Sequence, residues 1–266
     1  MTRAIGWRMD DPRSVIVVTG AASGIGRATT ALMAERNVVV VAVDKDSRRL
    51  AQIGTEFVNL VSVEGDISSQ ETIDRVANVA TTAGRVAGWV NCAAIIPKAA
   101  PILEQPASEL RQILETNLLG AIIATQAALA ALIQQGRGGA IVNLSSVHAR
   151  SAFRGWAAYD LAKAGIESFT RSVAVEYGAL GIRANCVAPG LVAVERWYRQ
   201  QEERGVAAAE EFEQAVLRDY PAGRLCQPVE VARVIEFLLG GGASYINGQT
   251  VVVDGGFTAL GKESHL

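Results

Sequence analysis

The chain has 266 residues, of which 50% are hydrophobic and 20% are charged, and its 25 basic and 27 acidic residues give a net charge of −2. This length suits one large α/β domain, and we expect residues 1–266 to form a single domain. The balanced charge lacks the basic footprint of proteins that bind nucleic acid or anionic membrane surfaces, so we expect neither partner. Residues 1–13 are polar and do not resemble a secretion signal, which favours a cytoplasmic location.

The cysteine and histidine content argues against disulfides and metal centres. The three cysteines, Cys92, Cys186 and Cys226, are far apart and odd in number, which fits neither a disulfide framework nor a metal site. His148 and His265 are the only imidazoles, too few for a histidine-rich metal centre. We therefore expect reduced thiols and no bound metal.

Short runs rich in β-branched residues alternate along the chain with longer helical stretches. The runs are almost continuously apolar, as expected when helices cover both faces of a parallel sheet. Their order predicts an α/β fold with a doubly wound, Rossmann-type, seven-stranded parallel sheet. The predicted strands span residues 15–19, 38–43, 60–63, 86–90, 141–144, 184–187 and 251–253.

Three of the intervening segments carry clear helix signals. Ser68 and Glu71 have capping-box spacing, and Pro228 followed by Glu230 suits the first turn of a helix. The most apolar segment, residues 118–133, is shorter than the roughly 20 residues that a membrane span requires. We interpret it as a buried helix.

The first predicted strand runs into a turn that contains Gly20, Gly24 and Gly26 and then into a helix. Glycines at this place let the backbone approach a pyrophosphate closely, and the helix N-terminus offers free N–H groups and a positive dipole end. The alternative is that a tight strand-to-helix turn needs these glycines for its own backbone geometry.

Asp44 ends the second predicted strand, where an acidic residue holds an adenosine ribose in dinucleotide-binding proteins. Its carboxylate would accept hydrogen bonds from the ribose hydroxyls and repel a 2′-phosphate, and residues 21–23 contain no Arg or Lys. The sequence therefore favours NAD over NADP, although Lys45 could be recruited to a phosphate. The alternative role of Asp44 is a helix N-cap.

Tyr159 and Lys163 are four residues apart in a predicted helix, which makes their side chains neighbours. A phenol has an ordinary pKa of about 10, and a fixed cation nearby lowers the pKa by favouring the phenolate. The hydroxyl of Ser146 could hold a substrate oxygen. This pattern predicts a site for moving a proton.

Residues 191–224 interrupt the alternation of strands and helices with a polar segment that contains Trp197, Tyr198 and Phe212. Long connections in compact domains are often lids, so we expect a substrate lid. The alternative is a surface helical hairpin that only packs on the domain.

These motifs, in this order and over nearly the whole chain, resemble those of the short-chain dehydrogenases/reductases. The residues that carry the resemblance are Gly20-x-x-x-Gly24-Ile25-Gly26, Asp66-Ile67, Asn91, Asn117, Ser146, Tyr159-x-x-x-Lys163, Pro189-Gly190 and Asp254-Gly-Gly256.

The resemblance implies four catalytic residues and hydride transfer between a secondary alcohol or ketone and NAD. Tyr159 would be the general acid/base, Lys163 would lower its pKa and bind the nicotinamide ribose, and Ser146 would orient the substrate oxygen. Asn117 would support a water-linked proton relay through Lys163. The resemblance also implies a homotetramer or homodimer.

The cofactor contacts implied by the resemblance cover the whole dinucleotide. The glycine turn would hold the phosphates, Asp66 and Ile67 would border the adenine, and Asn91 and Ala93 would line the adenosine ribose side. With the residues that flank the nicotinamide added, the full set of implied cofactor contacts is Gly20, Ser23, Gly24, Ile25, Gly26, Asp44, Asp66, Ile67, Asn91, Ala93, Tyr159, Lys163, Pro189, Gly190 and Val192.

The chain departs from the family pattern in two places. The family's usual Asn-Asn-Ala-Gly is replaced by Asn-Cys-Ala-Ala at residues 91–94. Cys92 is either a reactive thiol or, as we favour, a small core residue. Val194 stands where a Thr commonly forms a hydrogen bond with the carboxamide, and the backbone of Val192 or a nearby polar group could substitute.

We expect the substrate to contact Ser146, His148, Tyr159 and Trp197. His148 could bond a second polar group, or it could face water. Arginines near the predicted site suggest an anionic substrate, although exposed arginines are more often only solvated. The wider set of candidates is Ile95, Ile96, Arg150, Arg154, Trp156, Arg196, Tyr198 and Arg199.

The sequence thus favours an NAD-dependent dehydrogenase that oxidises a small cyclic or functionalised secondary alcohol. One alternative is an NADPH-type ketoreductase of the 3-oxoacyl-carrier kind, against which Asp44 argues. The other is a non-catalytic NAD-binding regulator, which would not need Asn117, Ser146, Tyr159 and Lys163 together.

Overall fold

The computed structural model describes residues 13–260, which contain a seven-stranded, entirely parallel sheet of order β3-β2-β1-β4-β5-β6-β7. The predicted fold class is confirmed. Each predicted strand exists, and its ends lie within two residues of the prediction. The strands are β1 Ser14–Thr19, β2 Val39–Asp44, β3 Leu60–Glu64, β4 Arg85–Asn91, β5 Gly139–Leu144, β6 Ile182–Pro189 and β7 Thr250–Val253.

Helices cover both faces of the sheet. They are α1 Gly24–Ala34, α2 Ser47–Glu56, α3 Gln70–Ala83, α4 Ala107–Leu114, α5 Ala121–Gln135, α6 Ala157–Tyr177, α7 Glu195–Arg204, α8 Val206–Leu217 and α9 Pro228–Leu239.

Successive residues of each strand point to opposite faces and so build two apolar layers. On one face, Ile16 and Val18 of β1 pack in a cluster with Met33 of α1 and Leu238 of α9. On the other face, Val15 and Val17 pack with residues of α3 and α5. Burial on both faces explains why the strands are continuously apolar in sequence.

The predicted capping box at Ser68 is wrong. Helix α3 begins after Ser69, whose side chain accepts a hydrogen bond from the Thr72 N–H, while the Ser68 hydroxyl donates to Asp66 Oδ1 at 2.8 Å. The start of α9 is as predicted, with Pro228 in its first turn and Glu230 accepting a hydrogen bond from the Gln227 N–H at 2.8 Å.

The apolar helix predicted at residues 118–133 belongs to a longer rod. Helices α4 and α5 are joined by a π-helical segment, Glu115–Gly120, which makes a continuous helix of 29 residues from Ala107 to Gln135. By length and composition alone this helix could cross a membrane, but 56% of its most apolar window is buried inside the molecule. That burial fits a core helix.

The predicted lid is a helical hairpin made of α7 and α8. Its ends meet where Val192 pairs with Cys226 in an isolated parallel bridge. Trp197 and Phe212 pack with ring centroids 5.8 Å apart, so the hairpin has an apolar contact of its own. The segment therefore has the shape of the alternative, a helical hairpin, and the next section describes which part of it reaches the site.

Candidate active site

The candidate site lies at the carboxyl edge of the sheet, where β1, β4, β5 and β6 end side by side. Strands β2 and β3 lie on one side of β1, and β4 to β7 lie on its other side. The direction in which strands are added therefore reverses between β1 and β4. Such a reversal opens a crevice at this edge, which is the usual ligand position in open α/β sheets.

Asp44 is tied directly to the glycine turn. Its Oδ2 accepts a hydrogen bond from the Ala22 N–H at 2.9 Å, and its Oδ1 accepts one from the Asp46 N–H at 3.0 Å. The alternative role as a helix N-cap is wrong, because Asp46 caps α2 by accepting from the Arg49 N–H. The carboxylate is therefore fixed beside residues 21–23, none of which is Arg or Lys.

All three turn glycines are favoured by the backbone of the turn itself. A Cβ on Gly20 would lie 2.8 Å from backbone atoms of Ala93, and one on Gly26 would collide with the Gly20 carbonyl. Gly24 has a φ of +51°, in the left-handed region that favours glycine, and its neighbours are side chains of the lid, Val194 and Glu195. The structural alternative given for these glycines thus holds for each of them.

The N-terminus of α1 already holds an anionic group. The Gly24 N–H donates to Glu195 Oε2 at 3.1 Å and to Oε1 at 3.4 Å, whereas the Ser23 side chain forms no capping hydrogen bond. Because a carboxylate fits this position, the free N–H groups and the helix dipole also suit the phosphates of a dinucleotide. Sequence reasoning missed Glu195, whose one signal is its position directly after Val194.

Asp66 and Ile67 follow β3, but they have different surroundings. Burial acts to raise the pKa of Asp66, yet hydrogen bonds from the backbone and hydroxyl of Ser68 outweigh it and lower the pKa. The Ile67 side chain is buried and lies against Gly120 of the π-helical segment. Contact of either residue with adenine stays a prediction.

The Asn91 side chain belongs to a buried polar network. Its Nδ2 donates to Asn143 Oδ1 at 2.8 Å and to Thr125 Oγ1 at 3.0 Å, and its Oδ1 accepts from Trp89 Nε1 at 3.1 Å. These bonds use both Nδ2 hydrogens and one lone pair of Oδ1, and contact of Asn91 with a cofactor stays a prediction. Ala93 lies at the turn, where its N–H donates to Thr19 Oγ1 at 3.3 Å.

Tyr159 is only 9% exposed, and burial raises its pKa to about 12. Hydrogen bonding with Ser146 and the positive charge of Arg196 act in the opposite direction, and the charge of Asp160 adds to the increase. Burial therefore outweighs the groups that favour the phenolate, and the expectation that Lys163 lowers the pKa of Tyr159 stays a prediction. Ser146 and Tyr159 are nevertheless brought together as predicted.

Lys163 is buried one helical turn from Tyr159, with its Nζ 5.5 Å from the centre of the phenol ring. The Nζ donates to the Leu144 carbonyl at 2.7 Å, which fixes the ammonium at the end of β5. Burial lowers the Lys163 pKa to about 8. At neutral pH the group is mostly protonated and can act as a donor and a cation.

Asn117 lies in the π-helical segment, which packs against α6. Its Oδ1 accepts from the Ile95 N–H at 2.6 Å, and its Nδ2 donates to the Ile95 carbonyl at 2.7 Å. The side chain therefore pins the loop after β4. The predicted proton relay through Asn117 stays a prediction.

His148 does not face water freely. Its Nδ1 lies 2.5 Å from Asp160 Oδ1, and its ring stands edge-on to Tyr159 with centroids 5.1 Å apart. Phe153 and Trp156 complete an aromatic wall around the imidazole. Burial lowers the His148 pKa, and Asp160 opposes that effect. Asp160, directly after Tyr159 in sequence, was not singled out by sequence reasoning.

The remaining predicted residues form the base of the lid. Gly190 donates to the Val253 carbonyl at 3.0 Å and leaves no room for a Cβ beside Asp254, while Val192 is buried. Trp197 packs in the lid cluster with Ala193 and Leu225, which accounts for its burial. A substrate contact of Trp197 and the nicotinamide contacts of residues 189–192 stay predictions.

Cys92 is a core residue. Its thiol is buried in an apolar cluster, and burial raises the Cys92 pKa to about 12. Because a thiol reacts as the thiolate, this cysteine is unreactive near neutral pH. The favoured interpretation of the first departure from the family pattern is thereby supported.

Comparisons with known proteins agree with this geometry. A family model described as Enoyl-(Acyl carrier protein) reductase matches residues 20–258. Carbonyl reductase family member 4 of Danio rerio is 35% identical over 247 residues, which cover 92% of this chain and 98% of that protein. Cis-4-hydroxycyclohexanecarboxylate dehydrogenase of Sinomonas cyclohexanicum is 36% identical over 258 residues, which cover 92% and 97%.

A solved structure has the same architecture. The crystal structure of levodione reductase superimposes with a TM-score of 0.86 at 31% identity and covers 94% of this chain and 99% of that one. A crevice at the carboxyl edge of the sheet with a Ser, Tyr and Lys set is typical of oxidoreductases that use a nicotinamide cofactor. The chain belongs to the short-chain dehydrogenase/reductase family, whose related members here are oxidoreductases of alcohols and ketones.

Proposed function

We propose that this protein is an NAD-dependent dehydrogenase that oxidises a small cyclic or functionalised secondary alcohol to a ketone. The observation that carries the proposal is the buried Tyr159, which is hydrogen bonded with Ser146 and has the Lys163 ammonium one turn away. This arrangement can accept a proton from an alcohol held by Ser146. We assign the oxidising direction because oxidised NAD is the abundant form.

A bound nicotinamide dinucleotide would supply the hydride acceptor. Ser146 would hold the substrate oxygen, and the Tyr159 phenolate would take its proton. Lys163 would hold the nicotinamide ribose through the ammonium fixed on Leu144, and the predicted water relay would carry the proton away. The aromatic wall at His148 would limit the access of water to the reacting carbon.

The preference for NAD is supported by the surroundings of Asp44. Its carboxylate is anchored by two backbone N–H groups, so it cannot swing away from an added 2′-phosphate without breaking them. Lys45 is exposed and lies near enough to Asp66 to act on its charge. A titration that showed tighter NADPH than NADH binding would favour the ketoreductase alternative instead.

The substrate proposal draws on two relatives whose names state their substrates, cis-4-hydroxycyclohexanecarboxylate and levodione, the first of which contains a cyclohexane ring. We propose a ring alcohol of that size for this protein, together with homo-oligomeric assembly and a cytoplasmic location. The test is NAD reduction with secondary alcohols, cyclic diols, hydroxysteroids and both 4-hydroxycyclohexanecarboxylate isomers. Wild-type protein and Tyr159→Phe are compared, and activity that survives the substitution in folded protein would refute the mechanism.

A further inference from the structure

Arg196 is the cation of the lid that reaches the candidate site. It lies in the first turn of α7, and its Nη2 donates to the Pro97 carbonyl at 3.0 Å, which joins the lid to the loop after β4. Its guanidinium carbon lies 6.0 Å from the centre of the Trp156 ring. That ring is in turn 5.7 Å from the Tyr159 ring. Arg196 therefore stands on the aromatic wall beside the phenol.

The guanidinium is half-buried without an acidic partner. Burial lowers the Arg196 pKa, and the charge of an ionised Tyr159 opposes this effect. Within residues 13–260 no salt bridge to Arg196 is formed, and the bond to Pro97 uses one of its five N–H donors. A desolvated cation with free donors is costly unless an anion completes it.

The other arginines named from the sequence do not share this situation. Arg150 pairs with Glu167 at 3.5 Å, whereas Arg154 and Arg199 are exposed to solvent. Of the four arginines that suggested an anionic substrate, Arg196 is therefore the candidate to bind the anion. A guanidinium presents paired donors whose spacing matches the two oxygens of a carboxylate.

We propose that Arg196 binds a carboxylate of the substrate, so that the preferred substrates are cyclic hydroxy acids and the corresponding oxo acids. This inference rests on the proposed function, because it assumes that the reacting oxygen lies at Ser146 and Tyr159. The carboxylate then lies across the Trp156 face from the reacting carbon. The lid thus holds the carboxylate of the substrate, and the aromatic wall holds its carbinol group.

The experiment compares 4-oxocyclohexanecarboxylate with its methyl ester, which has the same ring and lacks the charge. In the wild type we expect a KM for the acid at least about tenfold below that for the ester. Arg196→Met should raise the acid KM about 10- to 100-fold, the range for losing charge-assisted hydrogen bonds, and change the ester KM less than about threefold. Arg196→Lys should recover only part of the acid affinity, because lysine lacks the planar fork.

Arg218→Met is the matched control, since it removes an exposed arginine from the same lid segment and should leave both KM values unchanged. Binding of the acid is also measured without turnover, by quenching of tryptophan fluorescence in Tyr159→Phe protein with and without Arg196→Met. Equal losses for acid and ester, or an equal shift of both pH profiles, would assign Arg196 to lid structure or to the phenolate and overturn the proposal. If the protein reduces neither the acid nor the ester, the proposed function is wrong. The inference about Arg196 is then still decided by binding: it holds if the acid quenches tryptophan fluorescence and Arg196→Met removes that quenching, and it fails otherwise.

Discussion

The Gly24 N–H and the Glu195 carboxylate are hydrogen bonded, at 3.1 Å to Oε2, across the gap between the glycine turn and the lid. Glu195 therefore places a negative charge where the phosphates of a dinucleotide are expected. Val194 packs on the same glycine, so the first turn of α7 covers the N-terminus of α1. If the phosphates bind at the Gly24 N–H as predicted, we expect the cofactor to displace this carboxylate.

Glu195→Gln should tighten NAD binding, because the substitution removes a like charge from the phosphate position and keeps the size of the side chain. For this solvent-exposed contact we expect a gain of about three- to tenfold in affinity, measured by calorimetric titration with NAD. Glu203→Gln, an exposed substitution on the same helix, should leave the affinity unchanged. Weaker NAD binding in Glu195→Gln would mean that the carboxylate assists the cofactor instead of competing with it.

Asp44→Asn should shift the cofactor preference toward NADP. The amide keeps an acceptor for the Ala22 N–H but lacks the charge that repels a 2′-phosphate, so we expect NADP affinity to rise about tenfold. Fluorescence titration with NADPH and NADH measures the ratio. Glu64→Gln is the control, because Glu64 is the exposed acidic residue paired in register with Asp44 on β3. An unchanged ratio would remove Asp44 as the selector.

Tyr159→Phe should lower kcat by about 10²- to 10⁴-fold, the usual worth of a positioned general acid/base. The phenyl ring keeps the packing against His148 and Trp156, so the fold and the NAD affinity should stay close to wild type. Circular dichroism and a calorimetric titration check these two points. A variant that is folded, loaded and still fully active would exclude Tyr159 as the proton acceptor.

The rate of oxidation should depend on pH in two phases. The Tyr159 pKa is about 12, so the phenolate fraction, and with it log kcat/KM, should rise by about one per pH unit in the neutral range. The Lys163 pKa is about 8, so above that pH the loss of the ammonium should offset the gain and flatten the profile. Lys163→Arg keeps a cation at all these pH values, and its profile should rise without the bend. A wild-type profile that is flat below pH 8 would contradict the assignment.

The strands and the catalytic helix were predictable because their signals are local. Apolar runs marked the strands, and the spacing of Tyr159 and Lys163 placed both on one side of a helix. The net direction of the Tyr159 pKa shift could not be predicted, since it depends on how far burial outweighs the neighbouring charges. Burial is set by side chains from several distant elements, and the pattern around position 159 does not contain that information.

The contacts of the lid could not be predicted from the sequence either. The segment 191–224 stood out as polar, but which of its charges face the site depends on how α7 is set by the bridge between Val192 and Cys226. The prediction of the α3 N-cap failed because two neighbouring serines compete for that position. Ser68 and Ser69 are both suitable caps, and the bond from Ser68 to Asp66 leaves Ser69 as the cap of α3.

Asn91 was predicted to line the cofactor, but its bonds give it a large structural role that can be measured directly. Asn91→Ala would leave Trp89 Nε1 and Asn143 Oδ1 buried without these partners, and unsatisfied buried groups cost about 1–3 kcal/mol each. We expect the free energy of unfolding in urea to fall by about 3 kcal/mol. Asn78→Ala, at an exposed position on α3, should change it by less than about 0.5 kcal/mol.

A double-mutant cycle separates the network of Asn91 from the cavity that its removal leaves. Asn143→Ala alone should be costly, because Asn143 also donates to Thr170 Oγ1 at 2.9 Å. The double variant should lose less than the sum of the two single variants, since neither amide is then left facing an absent partner. Strict additivity would show that the amide–amide bond contributes nothing, and an unchanged unfolding free energy in Asn91→Ala would return Asn91 to a purely cofactor-facing role.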